Sequence, residues 1–203
     1  MPRGEYVNRK TTVDSKTELI KELRARTGAG VMDCRTAVEQ AGGDLEKAVE
    51  LLRARGLATA AKKASRIASE GLVEAYVHAG GRVGALVEVN CETDFVARTE
   101  EFKRLAHDVA LQVTAAAPQY VSREAIPLDV VETQRQEFAR ELVGKHAAAV
   151  EGRLEKWFTD VVLLEQPFIR DESKRVRDIL TEAIAKFGEN ILVRRFARFK
   201  LGD

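Results

Sequence analysis

The run Asn90-Cys91-Glu92-Thr93-Asp94-Phe95-Val96-Ala97-Arg98 joins a strand pattern to a helix pattern and puts a phenyl ring at the joint. Upstream, Val83, Ala85, Val87 and Val89 recur at the period of a half-buried strand. Downstream, Phe102, Leu105, Ala106, Val109 and Val113 recur at the three-and-four spacing of an amphipathic helix. Chains usually cross such joints on small or polar turn residues. Phe95 beside Asp94 is therefore either an ordinary core aromatic, as most phenylalanines are, or a side chain held out for a partner.

The strand before the joint has an evident hairpin partner. Val73, Ala75 and Val77 alternate with Glu74, Tyr76 and His78, and Gly80-Gly81 supplies the positive φ angles of a tight turn. Ile191 to Phe199 reads as a closing strand, and its backbone groups need that hairpin as a partner. Between them the pattern is helical near 128–143 and 147–163, where Pro167 ends it, with a short strand suggested at Tyr120 and Val121. A last helix carries Val176, Ile179, Leu180, Ala183, Ile184 and Phe187 and closes at Gly188. Residues 71–203 thus predict an α+β core, a small antiparallel sheet covered by helices on one side.

The first part of the chain is helical throughout. Residues 1–14 show no periodicity and read as a loose tail. Ser15-Lys16-Thr17-Glu18 has the form of a capping box, followed by Leu19, Ile20 and Leu23 on one face. Gly28-Ala29-Gly30 makes a turn into a second helix with Cys34, Ala37, Val38 and Ala41 in register. Gly42-Gly43-Asp44 ends that helix and caps a third, which carries Leu45, Ala48, Val49 and Leu52 and is expected to stop at Gly56. Residues 15–56 therefore predict a compact three-helix module. Residues 57–70, alanine-rich and basic, predict a helical connector rather than a flexible linker.

Composition narrows the function. The chain has 203 residues, 45% hydrophobic and 32% charged, with a net charge of +1, so it is not a polyanion binder by bulk charge. Basic residues do cluster at Arg53, Arg55, Lys62, Lys63 and Arg66, and again at Arg194, Arg195, Arg198 and Lys200. The plain reading of both is a solvated face; an RNA-binding module is the alternative. Aromatics, at 6%, do not interleave with the basic strand as stacking platforms would, so direct nucleic-acid binding is not expected. The two cysteines, Cys34 and Cys91, and the three histidines, His78, His107 and His146, are scattered, which points to a reducing compartment and away from a structural zinc site. No apolar run reaches a membrane span and no apolar signal core opens the chain, so the expected location is cytoplasmic.

Catalytic apparatus is missing from the pattern. There is no phosphate loop of the Gly-x-x-x-x-Gly-Lys-Ser/Thr kind, and Gly28-Ala29-Gly30 links helix to helix rather than strand to helix. Glu88, Glu92, Asp94, Glu100 and Glu101 cluster in sequence, but strand alternation separates the first of them and no histidine joins them. An enzyme built on that cluster is the most distant reading. A protein that acts by binding, without a cofactor, is favoured.

Four runs carry a resemblance. They are Glu22-Leu23-Arg24-Ala25-Arg26-Thr27-Gly28-Ala29-Gly30-Val31-Met32-Asp33-Cys34, the joint at 90–98, Glu151-Gly152-Arg153-Leu154 with Leu164-Glu165-Gln166-Pro167-Phe168, and Gly188-Glu189-Asn190-Ile191 leading to Arg194-Arg195-Phe196. In that order, over about 15–202, the chain resembles bacterial-type elongation factor Ts, the family of nucleotide exchange factors for elongation factor Tu. The resemblance implies an N-terminal module like a ubiquitin-associated domain and an α+β core. It implies binding to the GDP-bound and nucleotide-free forms of elongation factor Tu, with GDP released as magnesium and the phosphate-holding elements are displaced. On the same ground Thr93, Asp94, Phe95 and Val96 would form the magnesium-dislocating element, with Phe95 as a wedge. Arg24, Val31 and Met32 would face a helix of the partner's G domain. The chain has room for one core only, and short relatives of this kind imply a homodimer.

Overall fold

The computed structural model describes residues 9–143 and 146–203, with side chains from Lys16 onward. The helices are α1 (Arg9–Thr27), α2 (Val31–Gln40), α3 (Leu45–Lys63), α4 (Asp94–Ala97), α5 (Glu100–Ala116), α6 (Leu128–Glu141), α7 (Ala147–Val161) and α8 (Val176–Phe187). The strands are β1 (Glu70–Val77), β2 (Val83–Cys91), β3 (Pro167–Phe168), β4 (Asp171–Arg175) and β5 (Leu192–Lys200). The mixture is the expected α+β class. The chain divides into two compact units: residues up to Ser65 with Thr181–Glu189, and Arg66–Leu180 with Asn190–Asp203.

In the first unit α1, α2 and α3 bury Leu23, Cys34, Ala37, Val38 and Ala48 as one cluster. These are the positions that the three apolar stripes predicted. The Asp44 side chain accepts the Lys47 N–H at 3.1 Å and caps α3 as expected. Two expectations fail. The backbone of α1 is helical from Arg9, because no Gly or Pro interrupts Arg9–Thr27, so Ser15 lies inside the helix. A cap by its side chain falls outside the described residues, and Glu18 pairs instead with Lys21 at 2.8 Å. Nor does Gly56 stop α3, which continues to Lys63. Gly56 is buried, and a Cβ there would meet Thr181 Cγ2 at 3.6 Å and Ala185 Cβ at 3.7 Å. Its small size answers to close packing, not to a helix end.

In the second unit the sheet order is β1-β2-β5, antiparallel at both pairings, so the closing strand finds the hairpin as predicted. Gly80 and Gly81 turn the hairpin at φ 90° and 68°. Gly71 lies opposite Asn90, at φ 142°, where a Cβ would sit 2.1 Å from the Val89 carbonyl oxygen. No other residue fits that approach.

Helix α5 packs on β1 and β2, and its Phe102, Ala106, Val109 and Val113 are buried with Ala85, Val87 and Val89 of β2. Glu74 and Tyr76 of β1 face the same helix: Glu74 Oε1 lies 3.0 Å from His107 Nδ1, and the Tyr76 ring meets the His107 ring edge-on. The alternate residues therefore point the other way. Val73, Val77, Leu86 and Phe199 are all exposed on the uncovered face. Strand alternation shows two faces; only the position of α5 decides which is covered.

The helices α6 and α7 form a hairpin around Ile126, Phe138, Leu154, Phe158, Val161 and Val162. The short strand suggested near Tyr120 is a single bridge to Val162. Glu165, 5% exposed, is held by Arg123 at 3.0 Å, by Arg175 at 2.7 Å and by Arg177. Three guanidinium groups share this one buried carboxylate, so its charge is compensated and the segment just after α7 is tied to Arg123, Arg175 and Arg177. The short β3–β4 hairpin follows it and left no sign in the sequence pattern.

Candidate functional site

The joint after β2 is one turn of helix, α4, set between two threonine caps. Thr93 Oγ1 accepts the Val96 N–H at 3.4 Å, and Thr99 Oγ1 accepts the Phe102 N–H at 3.2 Å. Thr99 also donates to the Val96 carbonyl at 2.8 Å, locking the two helices end to end. The turn is fastened from below: Val96 is 6% and Ala97 8% exposed, and the buried Cys91 donates its thiol to the Thr93 carbonyl at 3.2 Å. Successive residues of a helix are rotated by about 100°, so anchoring Val96 and Ala97 turns the residue before them outward. Phe95 is 78% exposed. The reading of Phe95 as a core aromatic does not hold.

Asp94, in the first turn, pairs with Arg98 at 2.7 Å, with side chains 60% and 80% exposed respectively. An exposed pair of this kind contributes at most about 1 kcal/mol. It leaves Asp94 accessible beside the ring. The joint thus presents Thr93, Asp94 and Phe95 to solvent while Val96 serves as the anchor.

In the first unit Val31 is 51% and Met32 66% exposed, in the first turn of α2. The stripe of Cys34, Ala37 and Val38 is buried farther along the helix. At about 100° per residue Met32 points away from it, while Val31 lies at its exposed N-terminal end. Burial pushes the Cys34 thiol above its ordinary range, so it is a packing residue and not a nucleophile. Arg24 is exposed near the end of α1, where its own carbonyl accepts the Gly28 N–H at 2.8 Å. A cation there suits the negative end of the helix dipole.

The acidic residues of the opening run do not converge. Glu88 takes Arg195 at 2.7 Å and Arg194 at 3.6 Å on the open sheet face. Glu92 turns instead to Asn190, whose peptide N–H it accepts at 2.6 Å. Among the described residues no group of three or more His, Cys, Asp or Glu side chains is placed to hold a metal ion. No helix of the described residues is long and apolar enough to cross a membrane. The basic stripe of β5 has acidic company, since Lys200 and Arg198 reach Asp203 at 3.2 and 3.5 Å. The sequence pattern predicted a sheet covered on one side, but not that the open face would carry Val73, Val77, Leu86 and Phe199, nor the contact between Glu92 and Asn190.

The family model described as Elongation factor TS matches residues 10–203. The chain is 58% identical over 193 residues to Elongation factor Ts of Carboxydothermus hydrogenoformans, covering 92% of this chain and 89% of that protein. It is 54% identical over 192 residues to Elongation factor Ts of Caldanaerobacter subterraneus subsp. tengcongensis, covering 92% and 96%. With Elongation factor Ts of Thermodesulfovibrio yellowstonii it shares 50% over 191 residues, again 92% and 96%.

Proposed function

The chain belongs to the elongation factor Ts family, and from that premise we propose that it is the guanine nucleotide exchange factor of elongation factor Tu, acting in the cytoplasm by binding alone. The observation that carries this reading is Phe95, 78% exposed on a turn whose neighbours are buried. A large ring held in water at a rigid joint fits insertion into another protein.

The nucleotide of such a GTPase is held by a phosphate loop and a magnesium ion. A partner without a nucleotide site of its own speeds release only by preferring the state from which nucleotide has gone. Linkage makes the effect reciprocal: it weakens GDP by the factor by which GDP weakens it. A thousandfold shift needs about 4 kcal/mol. Burying one phenyl ring contributes on the order of 2 kcal/mol, so Phe95 supplies about half and other contacts must supply the rest. Asp94 and Thr93 offer polar groups beside the ring, and Val96 keeps the turn on the core.

Arg24, Val31 and Met32 are the proposed second contact, on a three-helix module of the ubiquitin-associated type. An exposed methionine beside valine suits an adaptable apolar interface. The module would hold the partner while the joint acts on its magnesium and phosphate-holding elements.

A homodimer is part of the same reading. Val73 at 63%, Val77 at 66%, Leu86 at 47% and Phe199 at 70% exposure share one uncovered sheet face. A monomer rarely leaves such a patch in water. The Glu88–Arg195 pair on that face carries both signs of charge, which suits a two-fold contact between identical surfaces.

The test is release of a fluorescent GDP analogue from purified elongation factor Tu, with and without this chain. Acceleration that saturates with added chain supports the reading. No acceleration, with steep salt-dependent RNA binding instead, would favour the RNA module.

A further inference from the structure

Two of the runs picked out in the sequence meet in the structure through one carboxylate. Glu92 Oε1 accepts the Asn190 N–H at 2.6 Å, and Glu92 Oε2 lies 3.4 Å from Arg66 Nη1. Asn190, 4% exposed, donates its side-chain N–H to the Arg66 carbonyl at 2.8 Å. The three residues close a ring. Arg66 and Asn190 are also the residues at which the chain enters the second unit, once after Ser65 and once after Glu189. Glu92 itself is the link between the last residue of β2 and the Thr93 cap of the exposed turn.

We propose that Glu92 is a positioning residue for nucleotide exchange, fixing the Thr93–Val96 turn so that Phe95 is presented in one orientation. This rests on the exchange reading above. The argument is geometric. The turn has fastenings of its own, the Thr93 cap, the Thr99 hydroxyl, buried Val96 and Ala97, and the Cys91 thiol below, but these bonds all run between residues 91 and 99. Glu92 is the residue from which the turn leaves the sheet. A short bond from a peptide N–H to a carboxylate is strong and directional. With it, the backbone at Glu92 is tied to a segment 98 residues away in the chain, which cannot follow a local pivot. Without it, the start of the turn loses its tie to that distant segment, and the ring is less fully ordered before insertion.

A positioning role and a merely structural one predict different kinetics. A loosened turn still docks, because docking draws on other contacts, but it inserts its ring less effectively. The maximal rate of GDP release at saturating exchange factor should therefore fall, with little change in the concentration that gives half of it. The effect must also run through Phe95 and vanish when the ring is absent.

The experiment measures GDP release from elongation factor Tu against concentration of the full chain for wild type, Glu92→Ala, Glu92→Gln, Phe95→Ala and the Glu92→Ala/Phe95→Ala double variant. Glu92→Ala is expected to lower the maximal rate about tenfold and to move the half-saturating concentration less than about twofold. Glu92→Gln keeps an oxygen for the Asn190 N–H and should recover most of the rate. In the Phe95→Ala background, Glu92→Ala should cost less than about a further twofold. Should Glu92→Ala not fold, Glu92→Asp, which withdraws the carboxylate by one methylene, carries the same comparison and should show an intermediate loss. A wild-type rate for the Glu92 variants alongside an impaired Phe95→Ala overturns the positioning role and leaves the exchange reading intact. So does a Glu92→Ala loss that is fully additive with Phe95→Ala. A wild-type rate for Phe95→Ala overturns both.

Discussion

Phe95 and Phe102 flank Thr99, whose hydroxyl donates to the Val96 carbonyl at 2.8 Å and accepts the Phe102 N–H at 3.2 Å, yet Phe95 is 78% exposed and Phe102 fully buried. The same side chain serves two purposes within one joint. Phe102→Ala removes a ring from the core under α5 and is expected to cost about 3–5 kcal/mol. Phe95→Ala removes a ring already in water and is expected to change stability by no more than about 0.5 kcal/mol. Urea unfolding of the two variants checks this, and similar losses for both would contradict it.

Met32 should behave like Phe95 in stability but act through docking. It is 66% exposed, and its carbonyl is satisfied by Thr36 Oγ1 at 2.8 Å whatever side chain it carries. Met32→Ala should leave unfolding unchanged and weaken binding to elongation factor Tu by about 1–2 kcal/mol, roughly tenfold in affinity. Titration calorimetry measures it. Unchanged affinity would remove Met32 from the interface. A point change is the better probe than deleting 1–56, because α3 runs on to Lys63 and Thr181–Glu189 belong to the same unit.

Phe199→Asp places a charge on the open sheet face, opposite Gly84 and away from α5. If that face joins two copies, light scattering should show a dimer for wild type and a monomer for the variant, with little change in secondary structure. A wild-type monomer would exclude the dimer. A variant dimer would move the interface elsewhere.

Acid should weaken the fold through its paired carboxylates. Glu155 accepts both guanidinium nitrogens of Arg123, at 2.8 and 2.7 Å, and that hydrogen bonding holds its carboxyl below the ordinary 4.5. Glu39, beside Lys16 and Arg35, is held low in the same way. A carboxyl whose folded pKa is depressed stabilises the protein above its unfolded pKa and loses that contribution as pH falls through the folded value. The melting temperature should thus vary little near neutrality and fall below about pH 4.5. Glu155→Gln should make that fall shallower, by a small amount because the group is largely exposed. A steeper fall in the variant would contradict the assignment.

Some of this was legible in the residues and some was not, for definable reasons. Periodicity located α5 and α8, and the Gly80–Gly81 turn located the hairpin, because each signal is local. Gly56 misled because glycine marks both helix ends and close packing, and only its contact with Thr181 and Ala185 separates the two. The alternation of Val73, Ala75 and Val77 was plain, but their exposure depends on which side α5 lands. Phe95 was conspicuous by position, while its outward direction follows from the burial of Val96 and Ala97. The Glu92–Asn190 bond spans 98 residues and has no local signature at all.

The central claim is that an exposed ring at a rigid joint drives nucleotide release from another protein. The most direct measurement is fluorescent GDP release from elongation factor Tu driven by Phe95→Ala at saturating concentration, compared with wild type. Loss of about 2 kcal/mol of insertion energy predicts a maximal rate roughly thirtyfold lower, with the variant fully folded. A folded Phe95→Ala variant that releases GDP at the wild-type rate would contradict the account.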